Sequence, residues 1–155
     1  MPSRSSTKIS DLRKRLNALG AAPSLPDVLG VAGLKLIADG FLAERDPYGA
    51  AWEPLKYRQG KILRKTGRMF NSRTYSATAR RVTLAITAKY SIYHQDPKPR
   101  KPRSGRRSFS RGRRTWQLPK RTMVPDERGL PAAWDAVFQR ETTAYLNRVA
   151  AGGTP

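Results

Sequence analysis

Few side chains in this 155-residue chain can do chemistry. There is one histidine, His94, with Asp96 two residues on. A nuclease using that pair is the one catalytic arrangement to weigh. His94 lies between Tyr93 and Gln95, and a packed or hydrogen-bonded imidazole is the simpler reading. The eleven acidic residues are scattered. Asp126 and Glu127 are the only adjacent pair, and with no second cluster they read as a turn rather than as paired general acid and base. Cysteine is absent, which removes disulfides and thiolate-bound zinc. The run GKILRKTG lacks the lysine–hydroxyl ending that holds phosphate and magnesium. DPYG reads as a turn rather than a calcium loop. These residues predict a protein that is not an enzyme, with no catalytic residue, no metal site and no cofactor.

Charge is the stronger chemical signal. Thirty-one Lys and Arg stand against 11 Asp and Glu, a net charge of +20. That excess points to a polyanionic partner: nucleic acid, an anionic membrane or an acidic protein surface. It is concentrated in PKPRKPRSGRRSFSRGRR, residues 97–114, which holds nine cations and no acid. They are Lys98, Arg100, Lys101, Arg103, Arg106, Arg107, Arg111, Arg113 and Arg114. Prolines, glycines and serines exclude a regular helix or a central strand there, so the composition predicts a flexible basic loop. Laid on phosphates, it would release counterions and bind with a steep salt dependence. No base-reading motif accompanies it, so such contact would be non-specific. Phe109 and Trp116 are the aromatics available for stacking on bases. The alternatives are docking on an acidic neighbouring protein, or a solvated face.

Elements must position these groups, and their periods can be read. Residues 1–23 form a basic N-terminal arm. Its Ile9, Leu12, Leu16 and Leu19 recur at helical spacing before Gly20, either as a short helix or as an arm that becomes helical on a partner. The arm lacks the apolar core of a secretory signal. A longer helix is predicted from Leu25, with Ser24 as N-cap and Pro26 and Asp27 in the first turn. Its stripe is Leu25, Val28, Leu29, Ala32, Leu36, Ile37 and Phe41. Gly30, Gly33 and Gly40 interrupt it, either to admit another backbone in subunit packing or as tolerated glycines. Lys35 and Asp39 make it too polar to span a membrane.

The segment RDPYGAAWEPLKYRQGK, from Arg45 to Lys61, has neither helical nor strand period. It reads as a binding loop or as a rigid loop pinned by Trp52 and Leu55. Ile62–Ser72 is too short and glycine-broken to assign. Strands are predicted at Thr74–Thr78 and around Val82–Ile86, joined near Ala79–Arg81. YSIYHQ reads as a short helical or irregular turn. Thr115–Pro119 is a candidate return strand, which would make the basic loop the tip of a long hairpin. A last amphipathic helix starts with Pro131 in its first turn. It carries Trp134, Val137, Phe138, Glu141, Tyr145 and Val149 on one stripe and ends at Gly152–Gly153. The order predicts one α+β domain over 24–150, a small antiparallel sheet packed by an N-terminal long helix and a C-terminal helix, followed by a tail at 151–155.

FLAERDPYGAAWEPLK, ILRKTGRMFNSRTYSAT, RVTLAITAKYSIYHQ and LPKRTMVPDE, in that order before a C-terminal helix and over roughly residues 25 to 148, resemble the phage virion morphogenesis family of tail-completion proteins. The residues that carry the resemblance are Asp46, Pro47, Gly49, Trp52, Pro54 and Leu55 in the loop; Leu63, Thr66, Gly67 and Met69; Tyr90, His94 and Gln95; and Pro119, Arg121 and Met123. Asp96–Pro97 stands where the family usually has a glycine, and the basic loop is longer and more charged. The resemblance implies a structural role without catalysis. It implies a homo-oligomeric ring, commonly a hexamer, at the head–tail junction of a virion assembled in the host cytoplasm. Such a ring caps the tail tube below, meets the head connector above, and lets genomic DNA pass. It also favours the pinned-loop reading, with Trp52 as anchor. Whether Tyr48 and Tyr57 face inward or touch the next subunit stays open from sequence. The competing reading is a non-specific nucleic-acid-binding protein acting through the basic loop.

Overall fold

The computed structural model describes residues 24–56, 59–98 and 118–151. Helix α1 spans Leu25–Ala43. Ser24 caps it as the sequence predicts. Its Oγ accepts the Asp27 N–H at 3.4 Å, and the Asp27 carboxylate accepts the Ser24 N–H at 3.3 Å. This reciprocal pair satisfies two amides that no helical carbonyl reaches. At the other end Glu44 turns left-handed at φ 53°, and the Arg45 N–H returns to the Gly40 carbonyl at 3.0 Å.

The buried face of α1 is Gly30, Gly33, Ile37 and Phe41. The predicted stripe is right at Ile37 and Phe41, but the centre of its N-terminal half is glycine rather than Val28 or Leu29. The reason is a close approach within the chain. A Cβ on Gly30 would lie 2.2 Å from Tyr75 Cδ2, and one on Gly33 would lie 2.6 Å from Leu84 Cδ1. These two glycines admit side chains of this chain's own hairpin, not a neighbouring subunit's backbone.

That hairpin is β1, Arg73–Thr78, and β2, Arg81–Ile86, paired antiparallel from Arg73↔Ile86 to Thr78↔Arg81. Burial alternates along β1, so Tyr75 points toward α1 while Thr74 and Ser76 face outward. Before it, the short helix α2, Arg68–Asn71, begins at Gly67, whose φ of 70° suits a glycine. After it, α3, Ile92–Gln95, is the helical turn expected of YSIYHQ. Helix α4, Ala132–Ala150, has Pro131 as its N-cap rather than in its first turn. It lies against α1, which thus packs against both the hairpin and α4. Its predicted stripe is the half-buried one, with Trp134 fully buried.

The core gathers Ile37, Phe41, Trp52, Ile62, Met69, Ala88, Met123 and Trp134. Phe41 is wholly enclosed, edge-on to Trp52 at 5.4 Å and to Phe70 at 5.8 Å. Much of this core comes from irregular chain, so side-chain hydrogen bonds must fix what a sheet would otherwise fix. Among the described residues the sheet has two strands. Leu118 and Pro119 lie outside any strand, which removes the described part of the expected return strand; residues 115–117 lie outside the described residues. The arm at 1–23 and Gly152–Gly153 lie outside them as well. No described helix is long and apolar enough to cross a membrane.

Candidate functional site

The Asp46 loop is built from the residue types its turn demands. Asp46 Oδ1 accepts the amides of Tyr48 at 3.0 Å and Ala50 at 2.7 Å, and the Asp46 carbonyl accepts the Gly49 N–H at 3.0 Å. A short carboxylate bonding its own next residues closes such a turn. Gly49 takes the positive φ of 91° that the turn needs. Trp52 then enters the core, 6% exposed, and its indole N–H donates to the Thr122 carbonyl at 3.1 Å. Leu55 packs against the same core, whereas Pro54 is exposed.

Tyr48 is half-buried and bonds within its own chain. Its hydroxyl lies 2.8 Å from the Gly129 carbonyl and 3.0 Å from Asp126 Oδ1, and it accepts the Asp126 N–H at 3.0 Å. Arg128 covers the ring, its guanidinium carbon 3.7 Å from the centroid. The same guanidinium grips Asp126 at 2.9 Å and 3.1 Å, and Lys120 adds a contact at 3.2 Å. These contacts hold the Asp126 carboxyl far below the usual carboxylate range, the Arg128 hydrogen bond most of all. Tyr57 lies outside the described residues.

A second clamp joins α3 to the returning chain. The Gln95 side chain accepts the Met123 N–H at 2.8 Å and donates to the Val124 carbonyl at 2.7 Å. The Arg121 N–H bonds the His94 carbonyl at 2.8 Å. Arg121 itself is buried and donates to the Glu53 carbonyl at 2.8 Å. His94 Nδ1 is buried without a hydrogen-bond partner. Burial, and then the Arg121 charge, push the His94 pKa down. Both causes favour the neutral imidazole. Asp96, its suggested catalytic partner, is exposed and lies 4.0 Å from Lys98.

Thr66 Oγ1 accepts the Arg68 N–H at 3.4 Å, Gly67 starts α2, and Tyr90 is exposed on the surface beside α3. Of the nine cations only Lys98 is described, and it is exposed. Arg100, Lys101, Arg103, Arg106, Arg107, Arg111, Arg113 and Arg114 lie outside the described residues, as do Phe109 and Trp116. Sequence reading missed Asp126 and Arg128 as partners of Tyr48, and Lys120 as a partner of Asp126. The only local signal was Asp126 two residues before Arg128. Among the described residues no group of three His, Asp or Glu side chains could hold a metal ion. A cleft of about 470 Å³ between the Asp46 loop, α1 and the start of α4 is lined mainly by apolar groups such as Ile37, Trp52, Met123 and Trp134.

These polar groups, most of them half-buried, tie together segments far apart in the chain. A profile of the phage virion morphogenesis family matches residues 5–132, most of the chain, and the chain belongs to that family. The match starts before the motifs quoted above and stops at the first residue of α4. Searches of curated proteins and of solved structures found no match. Membership gives a structural or assembly role in a bacteriophage virion.

Proposed function

We propose that the chain is a ring-forming tail-completion or tail-terminator subunit of the phage neck, capping the tail and joining it to the head connector. The family match over residues 5–132 carries this reading. The surface supports it. A closed ring needs two different faces on each subunit, a heterologous contact. Large apolar side chains are exposed on separate elements: Ile92 and Tyr93 on α3, Leu42 on α1 and Leu146 on α4. The nine cations of 97–114 suit a segment reaching the tail tube, the connector or the DNA that passes through. Electron microscopy of virions should show this protein as a ring, a hexamer by family habit, at the head–tail junction. Protein found only free in infected cells would overturn the proposal.

The acid-free basic segment favours one competing reading, a nucleic-acid-binding protein of no sequence preference. Neutralising Arg100, Arg103, Arg106, Arg107, Arg111, Arg113 and Arg114 separates the two. Failure of normal heads and tails to join supports the neck subunit. Normal assembly with lost, salt-sensitive DNA binding supports the competing reading.

A further inference from the structure

We propose that the outward side of the β-hairpin, with the chain that enters and leaves it, is a second cationic surface and takes the phosphate backbone of nucleic acid. Between Glu53 and Asp96 the chain has ten Lys and Arg and no acid. All eleven acids stand outside that stretch. Lys65, Arg68, Arg80, Arg81 and Lys89 are exposed, and none pairs with a carboxylate among the described residues. Arg64 and Arg73 crowd one Phe70 ring, their guanidinium carbons 5.2 Å and 3.8 Å from its centroid. Like charges gathered in this way repel, and a bound anion relieves the repulsion. Elsewhere cations are answered in place: Lys120 by Asp126, and Arg128 by Asp126 and Asp46.

The fold spreads these charges along the hairpin. Tyr75 and Leu84 pack on Gly30 and Gly33 of α1. That leaves the other side of the strands to Thr74, Ser76, Thr78 and Thr83, all exposed. The register sets Ser76 beside Thr83 and Thr78 beside Arg81. Lys65 and Arg68 precede the Arg73 end, and the Arg73↔Ile86 pair brings the chain toward Lys89 back to that end. Arg80 and Arg81 stand at the opposite end. Five strand steps separate the two groups by about 17 Å, the length of about five phosphates along one strand of DNA. Hydroxyls between cations suit phosphate oxygens, which fix a protein on nucleic acid without reading its sequence. An acidic protein suits the surface less well. Protein interfaces centre on aromatic and apolar anchors, and among the described residues from 54 to 89 no large apolar side chain is exposed. Val31, Leu42, Leu130 and Leu146 are exposed, but on other parts of the chain.

This surface is separate from residues 97–114 and does not rest on the neck-subunit reading. The parent for its test is therefore full-length protein with the seven arginines of 97–114 neutralised. Its binding to a random-sequence DNA duplex is followed against salt. Adding Lys65→Gln, Arg68→Gln, Arg80→Gln and Arg81→Gln should weaken binding about tenfold or more and lower the slope of log K against log salt by about 3–4. Arg80→Gln with Arg81→Gln alone should lower the slope by about 2. A control carrying Lys35→Gln, Arg45→Gln, Arg140→Gln and Arg148→Gln loses the same four charges at exposed positions outside the stretch. Its slope should stay within about 1 of the parent's, and Tm should hold in every variant. Equal losses from the two sets would show net charge alone at work and overturn the surface. So would a parent that no longer binds DNA. Tighter binding to poly-glutamate than to the duplex would make the partner an acidic protein and overturn it as well.

Discussion

At its N-terminal half α1 meets the β-hairpin through two glycines, whereas the loop that follows its C-terminal end is tied to the 122–129 segment by hydrogen bonds. The first contact is steric. Tyr75 and Leu84 occupy the space where side chains of Gly30 and Gly33 would stand. The second is polar and long-range. Trp52 reaches Thr122, and Tyr48 reaches Asp126 and Gly129. Steric fit holds a hairpin that already has its own ladder. Irregular chain has no ladder, so residues about as far apart as Tyr48 and Asp126 must supply directed bonds in its place. The two ends of the helix thus lead to two ways of fixing chain, and they should fail differently.

The largest effect should come from the polar end, at the one residue that is also core. Trp52→Ala removes the ring edge-on to Phe41 and strands the Thr122 carbonyl. We expect a loss of about 3–5 kcal/mol in equilibrium denaturation at fixed protomer concentration. A loss under about 1 kcal/mol would break the comparison, since the loop would not then be anchored through Trp52.

At the steric end, Gly30→Ala should cost about 1–3 kcal/mol by overpacking, although alanine gains up to about 1 kcal/mol in helix propensity. Gly33→Ala should cost less, because it meets the tips of Leu84 rather than a ring. Combining Gly30→Ala with Tyr75→Leu should recover part of the loss, and a coupling near zero would deny the contact.

Tyr48→Phe removes only a hydroxyl. It leaves the Asp126 amide without its acceptor and should cost about 1–2 kcal/mol. Thermal unfolding of Tyr48→Phe beside Arg128→Gln tests whether hydrogen bond or ring cover matters more. A silent Tyr48→Phe would put the hold of the loop in Trp52 alone.

The contrast between the ends also explains what could be read beforehand. Ser24, Pro26 and Asp27 are a local code, and the cap forms as spelled. The hairpin follows from alternation, and α4 from its stripe. Gly30 and Gly33 were visible as a pattern but not as receptors, because their partners are set by tertiary packing rather than by spacing along the helix. Tyr48 and Asp126 are far apart in sequence, and nothing in a single sequence pairs them. Gln95 was marked by a family motif, yet its role as a clamp on Met123 and Val124 is visible only in three dimensions. At Leu118 and Pro119, the described part of the expected return strand, the chain forms no strand.

The smallest effects should be those of pH, and they separate the two polar clamps. Asp126 is depressed in the folded protein by Arg128 first, then by its other donors. Its contribution is full above the ordinary carboxylate value of about 3.9 and is lost as pH falls below that, because the unfolded chain takes the proton first. Asp126→Asn should flatten stability below about pH 4. His94 works in a higher window. Burial lowers its pKa from 6.5, so the unfolded chain again binds the proton first. Stability should fall slightly as pH drops below about 6.5 and level off under the folded value. In His94→Gln that slope should vanish while the acid limb below about pH 4 stays. A slope that persists in His94→Gln would show that the imidazole is not the group being titrated, since the chain has no second histidine.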